Sequence, residues 1–216
     1  MLDNLADMKK TAGEIAKKLN KSYYDLDNEN ELHMYIVGSV GRKTAISGSS
    51  DLDVLFDLPA NIYSKYNAYS DNGQSALIQD VKNVLKEKYP NTDIRGDGQV
   101  VVIAFNKYTV ELVPGFKQAD DRFKYPDTHD GGSWKYTDPL SEQSACTECE
   151  NESDGKYYDF CHIIRSWKNH IGIKMGGLLI DTLVYDFFNE NGCFVDDSEK
   201  NYLEILQSLF EFRDRK

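Results

Sequence analysis

The sequence predicts an α/β (α+β) fold, in which a mixed sheet with helices is packed against a C-terminal helical lobe. Apolar runs of strand length occur in the first part of the chain, at 34–37, 54–56, 99–105 and 108–113. From Ser141 onwards, apolar residues recur at helical spacing, which predicts helices over 141–150, 156–169, 176–189 and 199–212. We therefore expect a mixed lobe over residues 1–140 and a helical lobe over 141–216.

Composition narrows the range of functions. The chain has 216 residues and a formal net charge of −11, which disfavours a protein built to hold a nucleic-acid duplex, because such proteins carry a basic face. We find neither a signal peptide nor a membrane span. The chain contains 4 cysteines, too few for a disulfide scaffold of this size, so that we expect a reducing, cytoplasmic location.

The elements of the first lobe follow in order. Residues 2–20 read as an amphipathic helix, and a polar connector leads to the first strand, which ends at Gly38-Ser39. A loop then precedes a second strand that is stopped by Pro59. Residues 61–72 look irregular, and a helix spans 73–89.

A predicted hairpin completes the sheet. Its strands are 99–105 and 108–113, with a tight turn at Asn106-Lys107 and a stop at Pro114. Residues 117–140 show no periodicity, and a loop of that length is usually functional or disordered. We interpret it as a lid-like loop.

The stretch GSVGRKTAISGSSDLDVLFD, residues 38–57, carries the first chemical signal. Gly38 allows close approach of a phosphate to the backbone, and Ser39 adds a hydroxyl donor. Asp51 and Asp53 are two residues apart on a predicted strand, so their side chains share one face. Carboxylate oxygens are the ligands that Mg²⁺ prefers, and Mg²⁺ usually keeps substrate phosphates among its ligands.

Glu111 supplies the third carboxylate. It lies inside the apolar run YTVELV, where a charge is costly unless it is paired or metal-bound. Three carboxylates on neighbouring strands predict a site for two Mg²⁺ ions, with Mn²⁺ as an alternative, that clamps the attacking and leaving oxygens of an in-line displacement. Together with the spacing of Gly38-Ser39 from Asp51-Leu52-Asp53, this pattern matches the nucleotidyltransferase signature.

The chain also resembles a family, the bacterial SMODS nucleotidyltransferases, which are related to cyclic GMP-AMP synthase and oligoadenylate synthase. The resemblance runs through GDGQVVVIAF, VELVPGF, KYPDTHDGGSWKYTDP and IIRSWKNHIGIKMGGLLIDTLVYDF, and covers most of residues 34–188. It implies a polymerase-β-like catalytic lobe backed by the helical lobe. It further implies synthesis of a cyclic di- or trinucleotide from ATP, GTP or other nucleoside triphosphates, in anti-phage defence, with a separate effector protein that responds to the product.

The resemblance extends to individual residues. Gly38 and Ser39 match the phosphate-binding turn, and the three carboxylates match the metal triad, where many relatives have Asp in place of Glu111. Arg165 falls where relatives carry a basic residue that reaches the triphosphate, and Lys168 is a second candidate. Relatives often have a serine pair where this chain has Gly176-Gly177, so backbone N–H groups there are expected to serve instead. Relatives also usually continue beyond the position of Lys216, so that we expect a compact or a truncated helical lobe.

Other residues keep two interpretations. Trp134 in the loop either stacks on a base or fills the core between the lobes. Arg42, after the Gly-Ser turn, is a candidate phosphate contact. Cys146, Cys149 and Cys161 resemble part of a zinc site, but their helical context favours buried thiols.

The sequence thus predicts a Mg²⁺-dependent nucleotidyltransferase that makes a cyclic oligonucleotide with release of pyrophosphate. Within the same class, the acceptor of the nucleotide is alternatively a tRNA, a drug or a protein. The other alternative is a nucleotide sensor that retains the fold without turnover, although all three carboxylates are present.

Overall fold

A computed structural model describes residues 4–48, 51–191 and 199–213. Its helices are α1 (Leu5–Tyr24), α2 (Gly38–Gly41), α3 (Ala60–Asn67), α4 (Gly73–Lys88), α5 (Pro139–Glu152), α6 (Lys156–Ile171), α7 (Gly177–Asn191) and α8 (Glu199–Arg213). Its strands are β1 (Met34–Ile36), β2 (Leu52–Asp57), β3 (Asp93–Asp97), β4 (Val100–Ala104), β5 (Thr109–Lys117), β6 (Phe123–Asp127) and β7 (Ser133–Thr137). Residues Ser49, Ser50 and Cys193, which belong to the patterns above, lie outside the described residues.

The strands form one mixed sheet in the order β1-β2-β5-β4-β3, and β6 and β7 extend it from the end of β5. β2 and β5 are parallel neighbours, while the other pairs are antiparallel. The mixed sheet with its helices confirms the predicted α/β (α+β) class.

Two apolar cores hold the fold together. The first lies between the sheet and the helices α1 and α4, and it contains residues such as Ile15, Leu77 and Leu112, each of which is completely buried. The second lies among α5, α6, α7 and α8 around Tyr157, Phe160 and Phe187. Apolar side chains at helical spacing thus bury one face of each helix, as burial of nonpolar area favours.

The prediction that residues 61–72 are irregular is wrong. α3 occupies most of this segment, and its Tyr63 and Tyr66 face the first core. The three tyrosines of the segment suggested a loop because aromatic residues have moderate helix propensity, but packing against the core outweighs that preference.

The predicted end of the second hairpin strand at Pro114 is also wrong, since β5 continues to Lys117. On one side of β5, pairing with β4 ends at Leu112 and pairing with β6 begins at Phe116. Pro114 lies between these two ladders, where the missing N–H group costs no ladder hydrogen bond.

The segment predicted as a long loop, 117–140, contains the hairpin β6–β7 joined by a 3₁₀ turn at His129–Gly131. Asp127 fixes this turn: its carboxylate accepts from the backbone N–H of His129 at 3.1 Å and from the Gln99 amide at 3.2 Å, and it contacts the Lys135 ammonium. The GDGQ segment, at the turn between β3 and β4, and the THDGGSWK segment of the β6–β7 hairpin therefore contact each other through Gln99 and Asp127.

Candidate active site

The Gly-Ser turn lies directly against the second strand. The backbone N–H of Val37 donates to the Asp53 carbonyl at 2.9 Å, and Gly38 follows with a φ of +60°. A Cβ on Gly38 would lie 1.8 Å from Asp53 Oδ2 and 2.8 Å from Asp53 Cβ. Only glycine satisfies both the left-handed backbone and this close approach. The turn therefore presents its backbone beside a carboxylate.

The parallel pairing of β2 with β5 brings the predicted carboxylates together. Asp53 and Glu111 are directly opposite each other in the register, so their side chains emerge on the same face of the sheet. Asp51 lies one residue before β2 and is exposed; its Oδ1 accepts from the Thr109 N–H at 3.4 Å. The sheet thus gathers all three at one end of β2 and β5.

The electrostatics of this group favour a cation. Burial, and then the charges of Glu111 and Asp51, raise the pKa of Asp53 to about 6. Burial, and then Asp51 and Asp97, raise the pKa of Glu111 as well. Within the described residues, no ion pair of a lysine or arginine reaches Asp51, Asp53 or Glu111. Their mutual repulsion is what a bound divalent cation would relieve.

The donor set fits Mg²⁺, a hard cation that takes carboxylate oxygens together with waters and substrate phosphates. The side chains are not arranged as a closed cage: in ranges 4–48, 51–191 and 199–213, no three acidic, histidine or cysteine side chains converge on one metal position. Because the Asp51 side chain is exposed, it is free to turn toward Asp53. An open site that completes its ligands from the substrate suits Mg²⁺.

The two arginines expected at a triphosphate bind a buried aspartate. Asp181 of α7, 2% exposed, accepts from Arg42 Nε at 3.0 Å, from Arg165 Nη2 at 2.7 Å and from Thr44 Oγ1 at 2.8 Å. Arg42 also donates to Glu142 at 2.8 Å. In this structure, the Arg42 guanidinium joins the segment after α2 to α7, and the Arg165 guanidinium joins α6 to α7. The predicted phosphate contacts of the two arginines stay predictions.

Asp181 was missed in the sequence, although a signal was present. It is the lone charge in the apolar run GLLIDTLV of α7. A carboxylate among buried apolar residues needs a cationic partner. A charge in an apolar run, the signal that identified Glu111, therefore also identifies Asp181. The sequence does not show which cationic side chains form ion pairs with it.

The remaining predicted contacts also have protein partners. Lys168 Nζ donates to the Met175 carbonyl at 3.2 Å. A Cβ on Gly177 would lie 2.6 Å from Arg165 Nη1, so this glycine allows α7 to begin close to the arginine. The neighbouring Gly176 has no atom within 4 Å of its missing Cβ. The Gly-Gly pair thus serves, at least in part, the packing of Arg165.

Trp134 packs within the first lobe. Its ring lies 5.0 Å from Tyr63 and 5.7 Å from Phe116, between ring centroids, and its Nε1 donates to Asn67 Oδ1 at 3.0 Å. The structure therefore places the side chain against α3 and β5, on the first core, and not between this core and the second one. Stacking of Trp134 on a base stays a prediction.

The three described cysteines, Cys146, Cys149 and Cys161, are buried in the second core, and none of them forms a disulfide. Cys146 Sγ lies 3.1 Å from the Tyr157 hydroxyl, and burial raises the pKa of both Cys146 and Cys161. A raised pKa disfavours the thiolate that zinc requires.

None of the helices in the described ranges is both long enough and apolar enough to cross a membrane.

Comparison with solved structures places this architecture among known folds. The CdnC protein of E. coli MS115-1, solved as a CdnC:HORMA-deltaN complex, superposes with a TM-score of 0.70 at 18% identity over 97% of this chain and 64% of its own. The CdnE cyclic dinucleotide synthase of Elizabethkingia meningoseptica, solved with GTP and Apcpp, superposes with a TM-score of 0.67 at 15% identity. The superposition covers 97% of this chain and 82% of the CdnE chain. At these identities the likeness concerns the fold alone.

Sequence comparison goes further. A probable cyclic nucleotide synthase of Bacillus cereus strain VD146 is 23% identical over 179 residues, which are 70% of this chain and 54% of that protein. The chain therefore spans about half the length of this curated relative. The profile of the Second Messenger Oligonucleotide or Dinucleotide Synthetase (SMODS) domain matches residues 2–150, and the resemblance seen in the sequence is thereby confirmed. Since the match covers more than half of the chain, this protein belongs to the SMODS family.

Proposed function

We propose that the protein is a Mg²⁺-dependent nucleotidyltransferase that makes a cyclic di- or trinucleotide from nucleoside triphosphates, ATP or GTP among them. One observation carries the proposal: the parallel register of β2 and β5 sets Asp53 opposite Glu111, with the Gly38 backbone packed against Asp53. Family membership supports the same activity. We assign Gly38, Ser39 and the three carboxylates to the site.

Each of these residues has a distinct task. The Gly38 backbone approaches Asp53 closely, which would bring a phosphate bound at this turn next to the carboxylate, and the Ser39 hydroxyl would donate to that phosphate. Asp51, Asp53 and Glu111 would hold Mg²⁺ (or Mn²⁺). When bound, the metal supplies positive charge that favours ionisation of an acceptor hydroxyl and stabilises a leaving pyrophosphate.

The reaction is an in-line substitution. The ribose hydroxyl of one nucleotide loses its proton and attacks the α-phosphorus of another, and the bond to pyrophosphate breaks. A second substitution closes the ring. The protein aligns the two nucleotides so that the reacting atoms meet without the entropic cost of a bimolecular encounter.

We leave Arg42, Arg165, Lys168 and Trp134 out of the proposed nucleotide site. Each has close protein partners in the structure, and a buried arginine released from Asp181 would leave that carboxylate unpaired. We propose instead that Arg42 holds α7 in position beside the sheet, while Arg165 fixes α6 against α7.

The biological setting is part of the proposal. Its support is the family resemblance, which suggests that the product activates a separate effector protein in anti-phage defence. A cytoplasmic location agrees with the nucleoside triphosphate substrates and with the described cysteines, which are buried and form no disulfide.

The test is incubation with all four α-³²P-labelled nucleoside triphosphates and Mg²⁺, followed by phosphatase treatment. We expect a labelled, phosphatase-resistant product, which Asp53→Asn and Glu111→Gln each reduce by a factor of about 10² or more, the size of effect seen when a stabilising group of a transition state is removed. Asp71→Asn, at an exposed residue outside the site, is the matched control.

Two results would contradict the proposal. One is a product that survives the loss of both Asp53 and Glu111. The other is label that appears on an added tRNA, drug or protein instead of on a second nucleotide, which would select the alternative acceptor.

A further inference from the structure

A cavity lies beside the Gly-Ser turn, away from the carboxylates. It has a volume of about 480 Å³ and is enclosed by α1, β1, α2 with the residues that follow it, α5 and α6. Gly38 faces Asp53, whereas a Cβ on Gly41 would lie 2.6 Å from Gln143 Nε2, at the cavity wall. Among the described residues, neither Asp51, Asp53 nor Glu111 lines it.

The charge of this cavity is opposite to that of the protein. Among the described residues that line it are Lys9, Lys43 and His162, and none of these lining residues carries a carboxylate, in a chain whose net charge is −11. Glu150 is close enough for the charges of Lys43 and His162 to act on it, and its carboxylate accepts from the Tyr158 N–H at 2.8 Å. A cavity that concentrates positive charge attracts an anion.

Lys43 is held in place by its neighbours. The side chains on either side of it, Arg42 and Thr44, both bind Asp181, at 3.0 Å and 2.8 Å. Its backbone is left-handed, with a φ of +61°, and its carbonyl lies 3.0 Å from His162 Nε2. This conformation is unfavourable for a residue other than glycine, so the surrounding contacts must hold it. With its backbone fixed, the Lys43 side chain is exposed beside the cavity.

The rest of the wall is apolar or amide-bearing. Leu5, Ile36 and Ala45 contribute apolar surface, and Gln143 contributes an amide. A volume of several hundred Å³ with apolar walls and a few polar groups is typical of a site for a small organic ligand. A bare anion would leave the apolar walls without a partner.

We propose that this cavity is a binding site for an organic phosphate of nucleotide size, separate from the carboxylate site. Lys9 and Lys43 bind the phosphate, and Leu5 and Ile36 contact the organic part. His162, whose Nε2 donates to the Lys43 carbonyl, lies in the wall beside the bound phosphate. Lys43 belongs to the segment that connects Ser39 with Asp51, so an occupant acts on the geometry of the chain between the two halves of the proposed active site. Binding itself does not depend on the proposed activity.

The test uses adenosine monophosphate as the probe, in EDTA so that no metal supports binding at the carboxylates. The chain has 4 histidines, so the ring resonances form a simple NMR spectrum in which His162→Asn identifies the His162 signal. We expect this signal to shift in a saturable way. The double variant Lys9→Ala/Lys43→Ala should weaken binding by at least tenfold, while Lys86→Ala, which removes an exposed lysine of α4, should leave it unchanged.

Three results would overturn the proposal. The His162 signal does not respond to adenosine monophosphate up to about 5 mM, a concentration that detects even millimolar affinity. Inorganic phosphate binds as tightly as adenosine monophosphate, which would remove the role of the apolar wall. Asp53→Asn abolishes the shift, which would assign the ligand to the carboxylate site. Lys43→Gln, a milder change, provides a second variant if the double variant unfolds.

Discussion

At the scale of single residues, the contact of Gly38 with Asp53 links the two halves of the sequence signature. The sequence shows the spacing of this glycine from the aspartates. The structure shows the contact behind it: the Val37 N–H donates to the Asp53 carbonyl, and this hydrogen bond holds the turn against β2. Glycine is required at position 38 to accommodate the Asp53 carboxylate, as well as to allow a phosphate to approach the backbone. Two substitutions test this pair.

Gly38→Ala should abolish activity and destabilise the protein. The new Cβ would overlap the Asp53 carboxylate, and alanine would adopt a φ of +60° at a cost of about 1–2 kcal/mol. Activity and thermal unfolding are measured together, and Gly48→Ala is the control: it also has a positive φ, +78°, but no atom within 4 Å of its missing Cβ. Full activity of Gly38→Ala would refute the close contact.

Asp53→Asn should raise the melting temperature of the metal-free protein at pH 7.5. The pKa of Asp53 in the folded state is raised to about 6, above the value of about 3.9 in the unfolded chain. The ionised carboxylate therefore lowers the free energy of unfolding at high pH. This loss of stability disappears as the pH falls below the pKa of the unfolded chain. The gain of the variant should therefore shrink between pH 7.5 and pH 4. Added Mg²⁺ should stabilise the wild type more than the variant. A variant that is less stable than the wild type at pH 7.5 would contradict this.

At the scale of elements, the hairpin β6–β7 shows where pattern reading failed. Its two strands are short, and each mixes lysine with aromatic residues, so neither shows a clear alternation of apolar and polar positions. What defines the hairpin is the set of hydrogen bonds to Asp127, which come from distant Gln99 as well as from its neighbours. Such contacts leave no local pattern in the sequence.

Asp127→Asn should loosen this hairpin. Hydrogen bonds from Lys135, and then from His129, lower the pKa of Asp127, so its contribution to stability is present above the unfolded pKa and is lost as the pH falls through the folded value. The variant should therefore show faster amide hydrogen exchange in 123–137 at pH 7, and the difference from the wild type should disappear in acid. Asp130→Asn, an exposed aspartate of the same turn, is the control. Equal exchange in Asp127→Asn and the wild type at pH 7 would contradict this role.

At the scale of the whole molecule, one buried carboxylate joins the sheet lobe to the helices. Asp181 and Arg42 are separated by 139 positions in the sequence, yet their ion pair, with Arg165 and Thr44, closes the structure around α2 and α7. Removing one partner of such a buried pair leaves the other charge unsatisfied, which costs more than the pair itself contributes.

Asp181→Ala should destabilise the protein by about 3–5 kcal/mol, because two buried guanidinium groups lose their partner. For a chain of this length, that predicts a melting temperature lower by about 10 °C. Asp71→Ala, at an exposed position, should change it by less than about 2 °C. Comparable melting temperatures for the two variants would show that the cluster does not hold the lobes together.

The sequence by itself determined the class of fold, the chemistry of the proposed site and the family, since these depend on local apolar periodicity and on short motifs with fixed spacing. It led to Glu111 because a charge in an apolar strand needs a partner. The tertiary structure decided the partners. The parallel register set Asp53 against Glu111, while helix packing placed Asp181 against Arg42 and Arg165 and enclosed the cationic cavity. Contacts between residues far apart in the chain form only when the elements pack together, so no local sequence pattern predicts them.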